Sequence, residues 1–293
     1  MKNLIILILL FLFTGDLFPQ TQGYILNRET NTPVIFANIW IVGEDIGTTS
    51  DSLGHFRFDK DFRNSSLIIS SIGYESAEVL IDSTFLKIYL VPVMYEIREV
   101  TVKPRSGKEF VIADYRRLQL LNYTMPCSPQ IFARYFPYKP EYSINLAIKR
   151  IEIATFSKVV STVNLRFFAV NADGEPGQDM LKSNYPVTVK KGRRTTRIDN
   201  LDTLGIRIPE NGLFIAFEFL IIKENASALT AIDADSRENI TVTVYNPGLG
   251  NIRADASVAS WNYGGGKWYR NLGKYNKKDK KSYSLAMKVI VAD

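Results

Sequence analysis

Two β-sandwiches in tandem are what this sequence predicts, and three observations predict them. Short runs rich in β-branched and aromatic residues follow one another almost without a break, from GYILNRE at 23–29 to SLAMKVIV at 284–291. Turn chemistry separates them at regular intervals: NRETNTP, GEDIG, DSLG, DFRNSS and IGYES each offer Gly, Asn, Asp or Pro. Within the longer runs apolar and polar side chains alternate, the period-two mark of a strand with one face in a core. Short strands at this spacing point to an all-β fold rather than to strands alternating with helices.

The chain has 293 residues, enough for about two domains of ordinary size. At 46% hydrophobic residues it can bury a core. Lys and Arg number 36 against 30 Asp and Glu, a net charge of +6. Much of that excess sits in KKGRR (190–194) and KKDKK (277–281), runs expected on solvated loops or against an acidic surface such as anionic lipid or polysaccharide.

Residues 1–22 are expected to be a signal peptide. Lys2 is a short positive region, and residues 4–13 are an unbroken apolar run, too short to span a bilayer at about 20 residues per helix. No cysteine follows the run, so a lipid-anchored form is not expected. Export disfavours nucleic acid as a partner and places the protein in the periplasm or on the cell surface. The most apolar later stretch, LFIAFEFLII (213–222), is short and carries Glu218, so the mature chain is expected to lack a transmembrane segment. Cys127 is the only cysteine, which rules out an internal disulfide. Its apolar-aromatic neighbourhood predicts burial.

The first region runs from 23 to 103. In VIFANIWIV, Ala37, Ile39 and Ile41 share one face, leaving Phe36, Asn38 and Trp40 on the other. Trp40 is therefore expected to pack on the second domain or under a loop. In GTTSDSLGHFRF (47–58), Asp51 can accept a bond from its own backbone two residues on, and Gly54 supplies backbone freedom. Phe56 and Phe58 then point inward, and His55, the only histidine, points outward. This is a hairpin rather than a catalytic loop.

The order of these features carries a resemblance. Gly23-x-Ile25, Thr32-Pro33, Ala37-Asn38-Ile39, Gly47 to Asp51, Gly54-His55-Phe56, Ser71-Ile72-Gly73-Tyr74 and Glu99 to Val102 follow in sequence. This resembles the carboxypeptidase regulatory-like (carboxypeptidase D regulatory-like, transthyretin-like) domain over roughly residues 22–103. The resemblance implies a seven-stranded Greek-key sandwich in an exported protein of a Gram-negative bacterium. It also implies, as an alternative function, an accessory role beside a TonB-dependent outer-membrane transporter. The family does not require histidine at position 55.

Residues 104–130 interrupt the strand rhythm and read as a linker. Within it, Phe110, Ala113, Leu118 and Leu121 recur near helical spacing and predict a short helix, ended by Pro126 and Pro129. A second β region covers 131–293. Val163, Leu165 and Phe167 alternate with Asn164 and Arg166, and Leu285, Met287, Val289 and Val291 share a face. A sandwich of jelly-roll type is expected. The runs FARYFP, RFFAVNADGEPGQDML and IRIPENGLFIAFEFL resemble the region that often follows regulatory-like domains, from which no function carries over. RRTTR (193–197) stands where such chains tend to carry a tryptophan.

Few constellations offer chemistry. One histidine and one cysteine cannot build a histidine–cysteine zinc site, and no nucleophile–base set or phosphate-cradling loop is present. No cofactor and no catalytic residue is expected. Asn171, Asp173, Glu175 and Asp179 form a weak calcium candidate, lacking the EF-hand offsets. Glu218 lies in an apolar strand, where it needs solvent or a partner such as Arg166 or Arg207. With Asp173 it is the basis of an alternative reading, a polysaccharide- or peptide-acting hydrolase. The stronger candidate is WNYGGGKWYR (261–270), where Trp261, Tyr263, Trp268 and Tyr269 flank a glycine turn and could stack on a sugar ring or grip a partner chain. The expected function is an exported, non-catalytic protein that contacts a glycan or a cell-envelope protein.

Overall fold

The computed structural model of the chain describes residues 20–93, 108–140, 146–232, 237–255, 260–271 and 281–292. Most of the expected signal segment, the motif at 99–102 and the lysine run at 277–280 lie outside the described residues. Among the described residues, no helix is long and apolar enough to cross a membrane.

Seven strands build the first sandwich: β1 (Gln22–Asn27), β2 (Asn38–Ile41), β3 (Gly47–Thr49), β4 (His55–Arg57), β5 (Ser66–Ser70), β6 (Ala77–Leu80) and β7 (Phe85–Leu90). They divide into a sheet ordered β4-β1-β7 and a sheet ordered β3-β2-β5-β6. β1 runs parallel to β7, and the remaining pairs are antiparallel. Ile25, Ile39, Ile41, Phe56, Leu67 and Ile69 meet between the sheets. The turn into β4 forms as its residues dictate. Asp51 Oδ1 accepts the N–H of Leu53 at 2.8 Å and that of His55 at 3.0 Å. Gly54 has φ +71°, and a Cβ there would lie 2.7 Å from the Ile25 carbonyl oxygen. Phe56 and Phe58 are buried, and each contributes roughly 2–3 kcal/mol of apolar burial. The half-buried His55 rests edge-on against Tyr24, ring centroids 5.2 Å apart.

The rest of the chain continues with β8 (Glu109–Ala113), β9 (Asn122–Thr124), β10 (Ile131–Phe136), β11 (Ala147–Ser157), β12 (Ser161–Val170), β13 (Pro176–Asp179), β14 (Tyr185–Val189) and β15 (Gly192–Ile198). It then runs through β16 (Leu213–Phe219), β17 (Ala226–Ile232), β18 (Asn239–Tyr245), β19 (Gly248–Asp255), β20 (Ser260–Gly264), β21 (Lys267–Arg270), β22 (Lys281–Leu285) and β23 (Met287–Ala292). One sheet is ordered β13-β12-β16-β10-β20-β21, with β14 also on β12. The other is ordered β22-β19-β11-β23-β8, with β15 on β11 and β9 on β19. β17 and β18 form a separate ribbon. Val163, Leu165 and Phe167 of β12 meet Ile151 and Ile153 of β11 and Leu285, Met287, Val289 and Val291 in one core. β16 is buried on both faces, which is why its sequence is a continuous apolar run.

The linker expectation requires correction. Residues 109–113 form strand β8, paired with β23 through Val289↔Ala113 and Val291↔Phe110. Residues 117–119 make one 3-10 turn, and 122–124 pair with β19. A helix this short gains too little by itself, whereas β23 offers an edge to pair with and the core accepts Ile112 and Ala113. Cys127 is also exposed rather than buried.

The two sandwiches pack against each other. Ile72, from the loop after β5, joins the core of the second sandwich. Ile221 N–H donates to Thr49 Oγ1 at 3.0 Å, and Asn184 Nδ2 to the Ile35 carbonyl at 3.0 Å. Trp40 is 2% exposed. It lies beneath the β20–β21 turn, where a Cβ on Gly264 would sit 3.7 Å from the indole. The outward face of β2 is thus the docking face, as the position of Trp40 predicts.

Candidate binding cleft at the domain junction

The aromatic hairpin is built on its glycines. Gly265 and Gly266 have φ +57° and +82°, the two left-handed positions of a type I′ turn that follows the twist of the strands. Tyr263 pairs across the hairpin with Trp268, and Trp261 with Arg270. Trp261, Tyr263 and Trp268 therefore share one face, over Ile131, Ala133, Phe168, Phe214 and Ala216. Trp268 meets Phe168 edge-on at 5.3 Å and tilts toward Tyr263 at 5.2 Å. Trp261 covers Phe214 at 6.3 Å.

Where this face reaches the first sandwich it leaves a cleft of about 290 Å³. Tyr263 and Trp268 line one side, Ser71 and Tyr74 the other, with Arg166 and Asp179 beside them. Tyr263 bonds Ser70 across the junction, and burial pushes its phenol pKa up, so it stays neutral. Ser71 Oγ is buried without a hydrogen-bond partner, a condition that buried hydroxyls rarely tolerate.

Behind the cleft lies a charged network. Arg166 Nε donates to Asp179 Oδ2 at 2.7 Å, and Nη1 to Glu218 Oε1 at 3.0 Å. Its guanidinium also stacks over Phe168 at 4.8 Å. Burial alone would lower the Arg166 pKa, but Glu218 and Asp179 outweigh it and the pKa is raised. Glu218, 2% exposed, further accepts Asn38 Nδ2 at 2.5 Å and Asn164 Nδ2 at 2.8 Å. The bond from Asn38 comes from the other sandwich, so a residue of β2 completes the coordination of a carboxylate on β16.

Several sequence expectations change here. Glu218 does have Arg166 as its partner, and that pairing occupies the carboxylate; Asp173 is exposed in a turn, apart from it. The calcium set does not converge. Asn171 Oδ1 is occupied by the N–H groups of Asp173 and Glu175 at 3.0 and 2.8 Å, and Asp179 turns to Arg166. Among the described residues no group of three acidic, histidine or cysteine side chains could hold a metal ion. Of the four aromatic candidates, Tyr263 and Trp268 line the cleft, while Trp261 packs beside it. Tyr269 points from the opposite face and is 57% exposed. Sequence reasoning did not single out Ser71 and Tyr74 as site residues. Their signal was a short Ser-Ile-Gly-Tyr turn whose neighbours in space lie far along the chain.

Residues 21–102 match the family model of the CarboxypepD_reg-like domain. None of the curated proteins matches the sequence. Among solved structures, a clostridial cysteine protease, Cwp84 in a variant form after propeptide cleavage, is similar at 12% identity and a TM-score of 0.38, covering 93% of this chain and 65% of that one. The cysteine protease and lectin-like domains of Cwp84 from Clostridium difficile align at 11% identity and a TM-score of 0.37, over 93% of this chain and 58% of the other. The chain thus spans less than two thirds of the length of either, and nothing of their activity transfers to it.

Proposed function

With residues 21–102 as a CarboxypepD_reg-like domain, we propose that this chain is an exported, non-catalytic binding protein of the periplasm or outer surface, and that it takes a saccharide in the junction cleft. The observation that carries this is the pairing of Tyr263 and Trp268 in one cleft, closed on its other side by Ser71 and Tyr74. A sugar ring presents an apolar C–H face that packs on aromatic rings and hydroxyls that exchange hydrogen bonds at its rim. Gln178, exposed at the same wall, supplies a further polar contact. The volume of about 290 Å³ lies at the lower end of ligand pockets, suited to one ring rather than a protein segment. Placement outside the cytoplasm rests on the N-terminal apolar segment. The absence of catalysis rests on the inventory of the sequence and on Glu218 and Asp179 being engaged by Arg166.

A glycan array on the full chain, followed by calorimetry on the best saccharide, tests this reading. Trp268→Ala weakens binding by roughly tenfold or more, and Ser71→Ala weakens it less. Binding unchanged in both variants would remove the cleft as the site.

A further inference from the structure

The segment between β8 and β9 presents a side chain that the core does not use. Its turn is firmly built: Arg116 N–H donates to Gln119 Oε1 at 2.7 Å, and Gln119 N–H to the Arg116 carbonyl at 2.8 Å. Leu121 N–H then donates to the Asn251 carbonyl at 2.9 Å. Leu120 packs inward with Tyr115 and Tyr123 over Ala154, Ile252 and Ala286 on the outer face of the second sheet. Leu118 is consequently held outward at 98% exposure, with Leu121 at 47%. A leucine fixed in water forgoes the burial free energy its side chain can gain, and a pinned turn gives it no way to fold back.

The same turn borders a cavity of about 100 Å³, lined by Tyr115, Arg117, Leu120, Tyr123 and Arg193 among others. That is room enough for a small anion or several water molecules. The Arg193 guanidinium lies 5.7 Å from the Tyr123 ring and 5.9 Å from the Phe156 ring. Among the described residues no carboxylate pairs with Arg117 or Arg193. Arg116, Lys190, Lys191 and Arg194 are exposed around them. Of the nearby carboxylates, Asp114 accepts the Tyr115 N–H, Glu152 stands opposite Arg197, and Asp199 pairs with Arg197. Basic side chains on β15 would also guard the open edge of that strand. Edge protection accounts for neither Arg117, which comes from a different segment, nor Leu118.

We infer that this face docks on an anionic phospholipid surface, with a lipid phosphate in the cavity between Arg117 and Arg193 and Leu118 inserted among the acyl chains. A polybasic patch and an apolar insertion together make the two signals that stable but reversible membrane attachment needs. A free phosphate shares the chemistry of the headgroup. Leu118 is the feature that separates a membrane from a soluble anion.

Co-sedimentation of the full chain with vesicles tests this. Phosphatidylcholine vesicles are compared with vesicles of equal parts phosphatidylcholine and phosphatidylglycerol. The chain binds the second kind only, and releases as salt rises. Arg117→Ala with Arg193→Ala weakens that binding on the order of thirtyfold, and Leu118→Ser weakens it about tenfold. All three positions are exposed, so circular dichroism stays at the wild-type spectrum and the melting temperature falls by no more than the loss of the Arg193 ring contacts accounts for. Equal binding to both vesicles, or to neither, overturns the inference. So does loss of vesicle binding to millimolar inorganic phosphate with Leu118→Ser unchanged, which would mark a small-anion site. An acidic polysaccharide bound through the same arginines but indifferent to Leu118 would overturn it equally.

Discussion

Among single residues, Glu218 is the one whose surroundings most tightly decide what it can do. A carboxylate at 2% exposure would be protonated or unstable if left alone. Here Arg166 supplies charge and Asn38 and Asn164 supply hydrogen bonds. Removing one partner strands the other, and breaking a buried pair costs about 3–5 kcal/mol. Glu218→Ala therefore lowers stability by about that amount in urea denaturation, while Glu218→Gln, which keeps an acceptor for the asparagines, loses less. An exposed counterpart behaves differently. Burial pushes the Asp199 carboxyl up, but bonds from Arg150 at 2.6 Å and Arg197 at 2.8 Å prevail and hold it below its usual value. Its contribution is therefore present above the unfolded carboxyl pKa of about 4 and is lost as pH falls through the lowered folded value. Asp199→Asn melts slightly below wild type at neutral pH and together with it in acid. A difference that persists in acid would mean Asp199 acts through packing instead.

At the scale of elements, the alternation of side chains gave the strands their place in the sequence. Val163, Leu165 and Phe167 were legible as a core face, and so was the hairpin at Gly54, because each signal is local. β8 was not legible. Phe110, Ala113, Leu118 and Leu121 fall near helical spacing, and nothing within the segment says that β23, at the far end of the chain, has an edge to fill. Ile112 supplies the test. It packs against the main core, so Ile112→Ala lowers stability by about 2 kcal/mol. A change near zero would return residues 109–113 to the status of a linker. The aromatic hairpin was half legible: its composition identified a contact surface, but strand register alone determines that Tyr269 faces away from Tyr263 and Trp268.

For the whole molecule, the junction matters most, and it was the least legible part. Trp40 on the outward face of β2 announced that something covers it. The bond from Asn38 to Glu218, Ile72 in the second core and the Tyr263–Ser70 contact all join residues far apart in the chain. Held together by these contacts, the two sandwiches are expected to unfold in a single transition. Asn38→Ala, by unpairing Glu218 across the junction, is expected to split that transition or lower it by about 1–3 kcal/mol. A calorimetric trace with an unaltered single peak would show that the bond contributes nothing to the union. The same junction creates the cleft: neither sandwich has both Ser71 and Trp268.

The most direct measurement is a titration of the tightest array-selected saccharide into the full chain, read by tryptophan fluorescence and calorimetry, beside Trp268→Ala. One site per chain, a shifted tryptophan emission, and affinity lower by about tenfold or more in the variant are expected. Saccharide binding of equal affinity in Trp268→Ala, with no change in emission on titrating wild type, would contradict a saccharide site in this cleft.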